Sequence, residues 1–221
     1  MSSFATSPFA STSSQATSTS LQPLNDGEKS PSPPTPLRPV ISSTGFEYPA
    51  IWSFPPFFTI QPNPSTQTHQ IQLWTALILS WAQHDRIWEI NVDAADGGGE
   101  VFWNRTISRR LLPASIRAVL GQMVKDGQAV PEPAKQTSTY LLYWRRPEEW
   151  GNLIYDWISD NGMTNTILTF YEITDGDLSH TTEFREMPPN ILRRALDTLI
   201  KKGKAQILSG LGEAGEGVRF L

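Results

Sequence analysis

Residues 74–81 read WTALILSW, and residues 150–157 read WGNLIYDW. A shift of 76 positions lays Trp74 on Trp150, Leu77 on Leu153, Ile78 on Ile154 and Trp81 on Trp157. The same shift holds further along. Pro113 falls on Pro189, Ile116 on Leu192, Leu120 on Leu196, Met123 on Leu199, Gly127 on Gly203 and Ala129 on Ala205. At the end, Leu142 falls on Val218 and Trp144 on Phe220. Recurrence at one fixed period marks a duplicated structural unit, and two copies are too few for a solenoid. They suit two domains of one type.

Each copy reads the same way. Ile71, Trp74, Leu77, Ile78 and Trp81 recur at spacings of three and four, as do Trp150, Leu153, Ile154, Trp157 and Ile158. That spacing is the apolar stripe of an amphipathic helix, here over about 65–84 and 147–160. Pro147 suits a first turn, where its missing N–H costs nothing, and Glu148 and Glu149 sit well at the positive helix end. A short strand is predicted at 86–90 and at 166–170, a second helix from near Glu100 and near Tyr171, and a third from Pro113 and Pro189. The third helices bury Ile116, Leu120, Met123 and Val124 in one copy and Leu192, Ala195, Leu196, Leu199 and Ile200 in the other. They stop where Gly127 and Gly203 can take the left-handed conformation. Strands at 128–130 and 139–144, and at 205–208 and 218–220, then form a hairpin in each copy.

Three helices closed by such a hairpin make a winged helix. The expected fold is therefore α+β, mainly helical: two tandem winged-helix domains, 64–145 and 146–221, each of three helices plus a short β-hairpin wing. Almost no linker separates Trp144 from Pro147, so a semi-rigid tandem is expected.

Two segments precede the repeat. Residues 1–45 are rich in Ser, Thr and Pro with little to bury, which reads as a disordered tail. Residues 46–63 form a proline-aromatic arm, with Phe46, Tyr48, Ile51, Trp52, Phe54, Phe57 and Phe58 crowded around Pro49, Pro55 and Pro56. Aromatics supply large contact area at low entropic cost, and prolines hold an extended backbone. Such an arm either packs on its own domain or seats in a partner's groove.

Several chemistries find no support. There is no cysteine, and the three histidines His69, His84 and His180 share no metal-ligand spacing with one another. Gly97-Gly98-Gly99 lies between Asp96 and Glu100 and lacks the Lys-Ser/Thr ending of a phosphate loop, so it reads as a flexible insertion. Asp175 and Asp177 around Gly176 read as turn residues. The sequence thus points to no cofactor, no metal and no enzyme. The longest apolar stretch, Ile71 to Ala82, falls short of the roughly 20 residues of a membrane span, and no secretory signal opens the chain. Asn104-Arg105-Thr106 matches a glycosylation sequon and is taken as chance.

A net charge of −4 argues against a polyanion-binding surface over the whole chain. Locally, Arg193, Arg194, Lys201, Lys202 and Lys204 face only Asp197. Helix 189–202 could hold a nucleic acid, as winged helices often do, or an acidic protein helix, or be a solvated face. In the first copy, helix 113–125 carries only Arg117 and Lys125.

Two motifs carry a resemblance. Phe54-Pro55-Pro56-Phe57-Phe58-Thr59-Ile60-Gln61-Pro62-Asn63 and Trp144-Arg145-Arg146-Pro147-Glu148-Glu149-Trp150-Gly151 resemble the small, two-copy subunit family of the endosomal sorting complex ESCRT-II. The likeness runs from about Tyr48 to Leu221. It implies a non-enzymatic adaptor with tandem winged helices, two copies of which join the complex's two larger subunits in a heterotetramer. The arm and first domain would bind those core subunits, through Trp52, Phe54, Pro55, Pro56, Phe57 and Phe58. On that view Phe57→Ala or Phe58→Ala weakens core binding while each domain stays folded. The second domain would recruit and nucleate an ESCRT-III subunit, with Thr166, Phe170, Arg193, Arg194, Lys201 and Lys202 as possible contacts. Trp144, Arg145, Arg146, Pro147 and Trp150 would form the domain junction, with Arg145 and Arg146 paired to Glu148 and Glu149. The resemblance further implies a cytoplasmic protein recruited peripherally to the endosomal membrane, in multivesicular body sorting of ubiquitinated cargo. Membrane and ubiquitin binding would belong to the other subunits, with no direct membrane insertion by this chain.

Overall fold

The computed structural model describes residues 39–94, 96–208 and 216–221. Those from 39 onward fall within one compact unit. The reading of 1–38 as disordered lies outside the described residues. Within the expected tail, Val40–Ile41 (β1) pairs antiparallel with Glu47–Tyr48 (β2), so order begins before residue 46.

The first repeat opens with α1, Pro64–Asp85. Asn63 caps it, its side chain accepting from the N–H groups of Ser65 at 3.0 Å and Thr66 at 3.3 Å. Trp74, Leu77, Ile78 and Trp81 are buried and Ile71 is half-buried, as the stripe predicts. After β3 (Glu89–Asn91) the chain departs from expectation. In place of a second α-helix there is a single 3₁₀ turn at Glu100–Phe102, then a small hairpin of β4 (Trp103–Asn104) and β5 (Arg109–Arg110). The three glycines leading into the turn have φ of 73°, 94° and 123°. A Cβ on Gly99 would lie 2.6 Å from the Trp81 indole. The triglycine is therefore a close-packed turn rather than a flexible insertion. Left-handed backbone and a close ring approach both exclude a side chain here.

Helix α2 (Pro113–Lys125) and the wing strands β6 (Ala129–Pro131) and β7 (Thr139–Leu142) complete the first repeat. The second repeat comprises α3 (Pro147–Asp160), β8 (Ile167–Thr169), α4 (Phe170–Thr174), α5 (Pro189–Lys201), β9 (Ala205–Leu208) and β10 (Gly217–Phe220). Helices α2 and α5 stop at Gly127 and Gly203, whose φ values are 71° and 69°. The two three-stranded sheets share one topology, β3-β7-β6 and β8-β10-β9. The fold is an α+β pair of tandem winged helices.

Sheet register corrects the alignment at the wings. Ala129 pairs with Leu142, whereas Ala205 pairs with Phe220. Leu142 therefore corresponds to Phe220 rather than Val218. Residues Glu89–Asn91 likewise correspond to Ile167–Thr169, 78 positions on. The 76-residue period holds for the helices. Strand β6 keeps it too, with Ala129 matching Ala205, whereas β3 and β7 slip by two because the connections around them differ in length.

Candidate functional site

The arm is built onto its own domain. Phe57 lies face to face with Trp74, ring centroids 4.3 Å apart, and Phe58 meets the same indole edge-on. Tyr48 stacks on Trp52 at 3.7 Å. Backbone polarity is satisfied from within. The Trp74 indole N–H donates to the Phe57 carbonyl at 3.1 Å, and the buried Gln70 amide donates to the carbonyls of Phe57 at 2.7 Å and Thr59 at 3.0 Å. Trp52 donates to the Val101 carbonyl at 2.7 Å, and Asn104 donates to the Trp52 carbonyl at 2.9 Å. Burial and the neighbouring Glu100 push the Tyr48 phenol above its ordinary pKa.

This corrects the expectation for half of the arm. Trp52, Phe57 and Phe58 are only 3–4% exposed and belong to the first core. They are not available to a partner: Trp74 and Gln70 of α1 hold Phe57 and Phe58, and Trp52 is stacked on Tyr48 and bonded to the Val101 carbonyl. Phe54, 50% exposed, and the exposed Pro55 and Pro56 are what the arm presents outward. Beside them lies a hollow of about 300 Å³, walled by Ile51, Phe54, Pro56, Phe57, His69 and Leu73. Asn104 is fully buried, so the sequon asparagine is no acceptor in this fold.

The junction is a tryptophan cluster. Trp88 and Trp144 centroids lie 4.1 Å apart, and Trp150 is 5.6 Å and 6.0 Å from them. Trp150 is fully buried, and Trp144 packs against both cores. Arg145 does not pair with Glu148 or Glu149. Its guanidinium grips Glu183 of the second repeat in a fork, at 2.7 and 2.9 Å, and Gln83 of α1 donates to the same carboxylate. That carboxylate raises the Arg145 pKa. The Arg146 backbone N–H donates to the Glu149 carboxylate at 2.7 Å, closing the start of α3. Pro147 occupies the first turn of α3.

The basic helix of the second repeat is partly spent inside the molecule. Arg194 reaches across the repeats to Glu132 and the Tyr143 hydroxyl, and Arg193 pairs with Glu216. Lys201 and Lys202 are exposed, Lys202 donating to Asn152 at 3.2 Å. With two guanidiniums tied to carboxylates, the phosphate-binding potential of 189–202 falls.

A separate groove of about 320 Å³ lies across the second repeat, lined by Trp157, Met163, Leu168, Tyr171, Glu172 and Leu178. Tyr171 is 70% exposed, Leu178 59% and the adjacent Ile167 50%. Thr166 is exposed near its edge and Phe170 is half-buried against the second core. Sequence reasoning missed Leu178 and the roles of Trp88, Glu132 and Glu183. Among the described residues no group of three or more His, Cys, Asp or Glu side chains is arranged to hold a metal ion, and no helix is long and apolar enough to cross a membrane.

The profile of the family described as ESCRT-II complex subunit matches residues 51–188. Vacuolar protein-sorting-associated protein 25 of Danio rerio is 40% identical over 175 residues, covering 79% of this chain and 98% of the relative. The protein of that name from Homo sapiens is 38% identical, covering 79% and 97%. Among solved structures, subunit VPS25 of the endosomal trafficking complex ESCRT-II superposes with a TM-score of 0.69 at 29% identity, covering 77% of this chain and 97% of that one. A chain of the endosomal complex ESCRT-II (VPS22/VPS25/VPS36) superposes with a TM-score of 0.68 at 29% identity, covering 78% and 98%.

Proposed function

The chain belongs to the ESCRT-II complex subunit family, and we propose that it works there as a non-catalytic adaptor with a binding surface on each repeat. Its first-repeat partners are the counterparts of VPS22 and VPS36, the subunits that accompany VPS25 in the solved complex. The observation that carries this reading is the outward ridge Phe54-Pro55-Pro56 beside an apolar hollow, on an arm whose other aromatics are locked into the core. A large ring half in water on a rigid support is the kind of anchor that dominates an interface, since little ordering entropy remains to be lost. The domain boundaries 64–145 and 146–221 are part of the same proposal.

The second repeat, on this reading, recruits an ESCRT-III subunit at the endosomal membrane during cargo sorting into multivesicular bodies. The groove under Tyr171 and Leu178 suits that partner better than helix 189–202, because it exposes apolar area while Arg193 and Arg194 are already engaged. An amphipathic helix laid in the groove would cover that area.

Phe54→Ala tests the first surface. Co-purification with the two larger subunits should be lost or fall at least ten-fold, while the thermal melt of the isolated chain stays within the small range usual for surface substitutions. Undiminished assembly by the folded variant would refute the ridge.

A further inference from the structure

The β4-β5 hairpin carries a feature that none of these surfaces uses. Between residues 101 and 125 there are four arginines and a lysine and no acidic residue. Arg117 pairs with Asp93, but no ion pair among the described residues involves Arg105, Arg109 or Arg110, and all three are exposed. Trp103 stands between two of them. The Arg105 guanidinium lies 4.6 Å from its ring centroid and that of Arg110 5.9 Å. Register explains the second contact, because Trp103 is directly opposite Arg110 and cross-strand partners share a face. The indole is 41% exposed, and across a cleft from it Ile41 is 62% exposed. The hairpin's inner face is fixed by Asn104, so the outer face is held rigidly.

We propose that this outer face rests on an anionic bilayer surface, with Trp103 at headgroup depth and the arginines on lipid phosphates. Indoles favour the membrane–water interface, where one edge is apolar and the other wet, and cations beside them meet the negative leaflet. Ile41 adds apolar area at the same rim. The cleft between Trp103 and Ile41, which Arg105 also lines, has Asp96 and Glu100 in its wall. These carboxylates repel an anionic peptide from the cleft, yet leave the arginines free to meet a flat anionic surface outside it. The contact is peripheral and needs no spanning segment.

The test is co-sedimentation of the full chain with vesicles of phosphatidylcholine alone and of an equal mixture with phosphatidylserine. The wild-type chain should partition onto the mixed vesicles only, and less as salt rises. Arg105→Gln with Arg110→Gln, the two guanidiniums beside Trp103, should lower partition by roughly five-fold per guanidinium removed, and Trp103→Ser should lower it without changing the salt dependence. Lys201→Gln with Lys202→Gln, equal in charge, should leave it unchanged. Matching thermal melts establish that the variants fold. Wild-type chain left in the supernatant, or hairpin variants that bind as wild type, overturns the proposal. So does a loss equal to that of the lysine control, which would mean net charge alone acts. A single-stranded RNA that binds the chain with the same variant dependence while the vesicles do not would replace lipid by nucleic acid. Variants that fail to assemble with the larger subunits but sediment normally would make the hairpin a subunit contact.

Discussion

Phe54 and Phe57 stand three residues apart and do opposite jobs. Phe57 is a core residue, 3% exposed and stacked on Trp74, with its carbonyl held by both Trp74 and Gln70. Phe57→Ala therefore opens a cavity under an indole that has no other face-on neighbour from the arm. Burial of this kind costs about 3–5 kcal/mol when truncated to alanine. The expected outcome is a large fall in the urea midpoint of the isolated chain, with any loss of partner binding following from unfolding. A variant as stable as wild type would mean that the arm detaches freely, and would restore Phe57 as a partner contact. Sequence alone shows a density of aromatics here. It cannot show which rings face α1, because 3₁₀ turns at Ala50–Ser53 and Pro55–Phe58 break any period of two or 3.6.

At the level of elements, α5 and the α4 turn compete for the second partner, and their surroundings favour the turn. Helix α5 buries Ile191, Leu192, Ala195, Leu196 and Leu199 against its own core, as the apolar stripe predicts. Its arginines then close on Glu132 and Glu216. By contrast, Tyr171 and Leu178 flank the groove at its rim, exposed among the described residues. If the second repeat binds an ESCRT-III subunit as proposed, Tyr171→Ala with Leu178→Ala should weaken that binding at least ten-fold, read by titration calorimetry, without moving the melt. Lys201→Glu with Lys202→Glu should change it little. The reverse ranking would return the site to the basic helix. The helices were legible in the sequence because their stripes are long and their caps are Pro and Gly. The middle helix of the first repeat was misread because three glycines look flexible when the Trp81 ring that packs on Gly99 lies elsewhere in the chain.

For the whole molecule, the central question is why two repeats of one fold form a single unit, and the wing of the first repeat answers it. Along its last strand the side chains alternate between cores. Tyr140 and Leu142 join the first core, while Leu141 and Tyr143 join the second, with Trp88 beside them. This strand is buried on both faces, and the run Tyr140-Leu141-Leu142-Tyr143 is accordingly apolar or aromatic throughout. The matching strand of the second repeat alternates instead, with Val218 and Phe220 buried and Arg219 exposed, so its outer face meets solvent. The difference was present in the sequence, but a comparison made at 76 residues set Leu142 against Val218 and hid it. Trp144 is the side chain that packs against both cores, and Arg145–Glu183 and Arg194–Glu132 add partly exposed ion pairs whose contribution is modest. Stability should therefore be shared: the wild-type chain is expected to melt in one calorimetric transition, with calorimetric and van't Hoff enthalpies equal. Trp144→Ala removes the common wedge at a cost of about 3–5 kcal/mol, and the loss falls on the coupling between the repeats. The expected trace has two transitions, the lower one losing near-ultraviolet signal from the Trp88 and Trp150 cluster. A single transition merely shifted to lower temperature would show that the Leu141 and Tyr143 face alone couples the repeats, and two transitions already in wild type would show that the shared sheet does not.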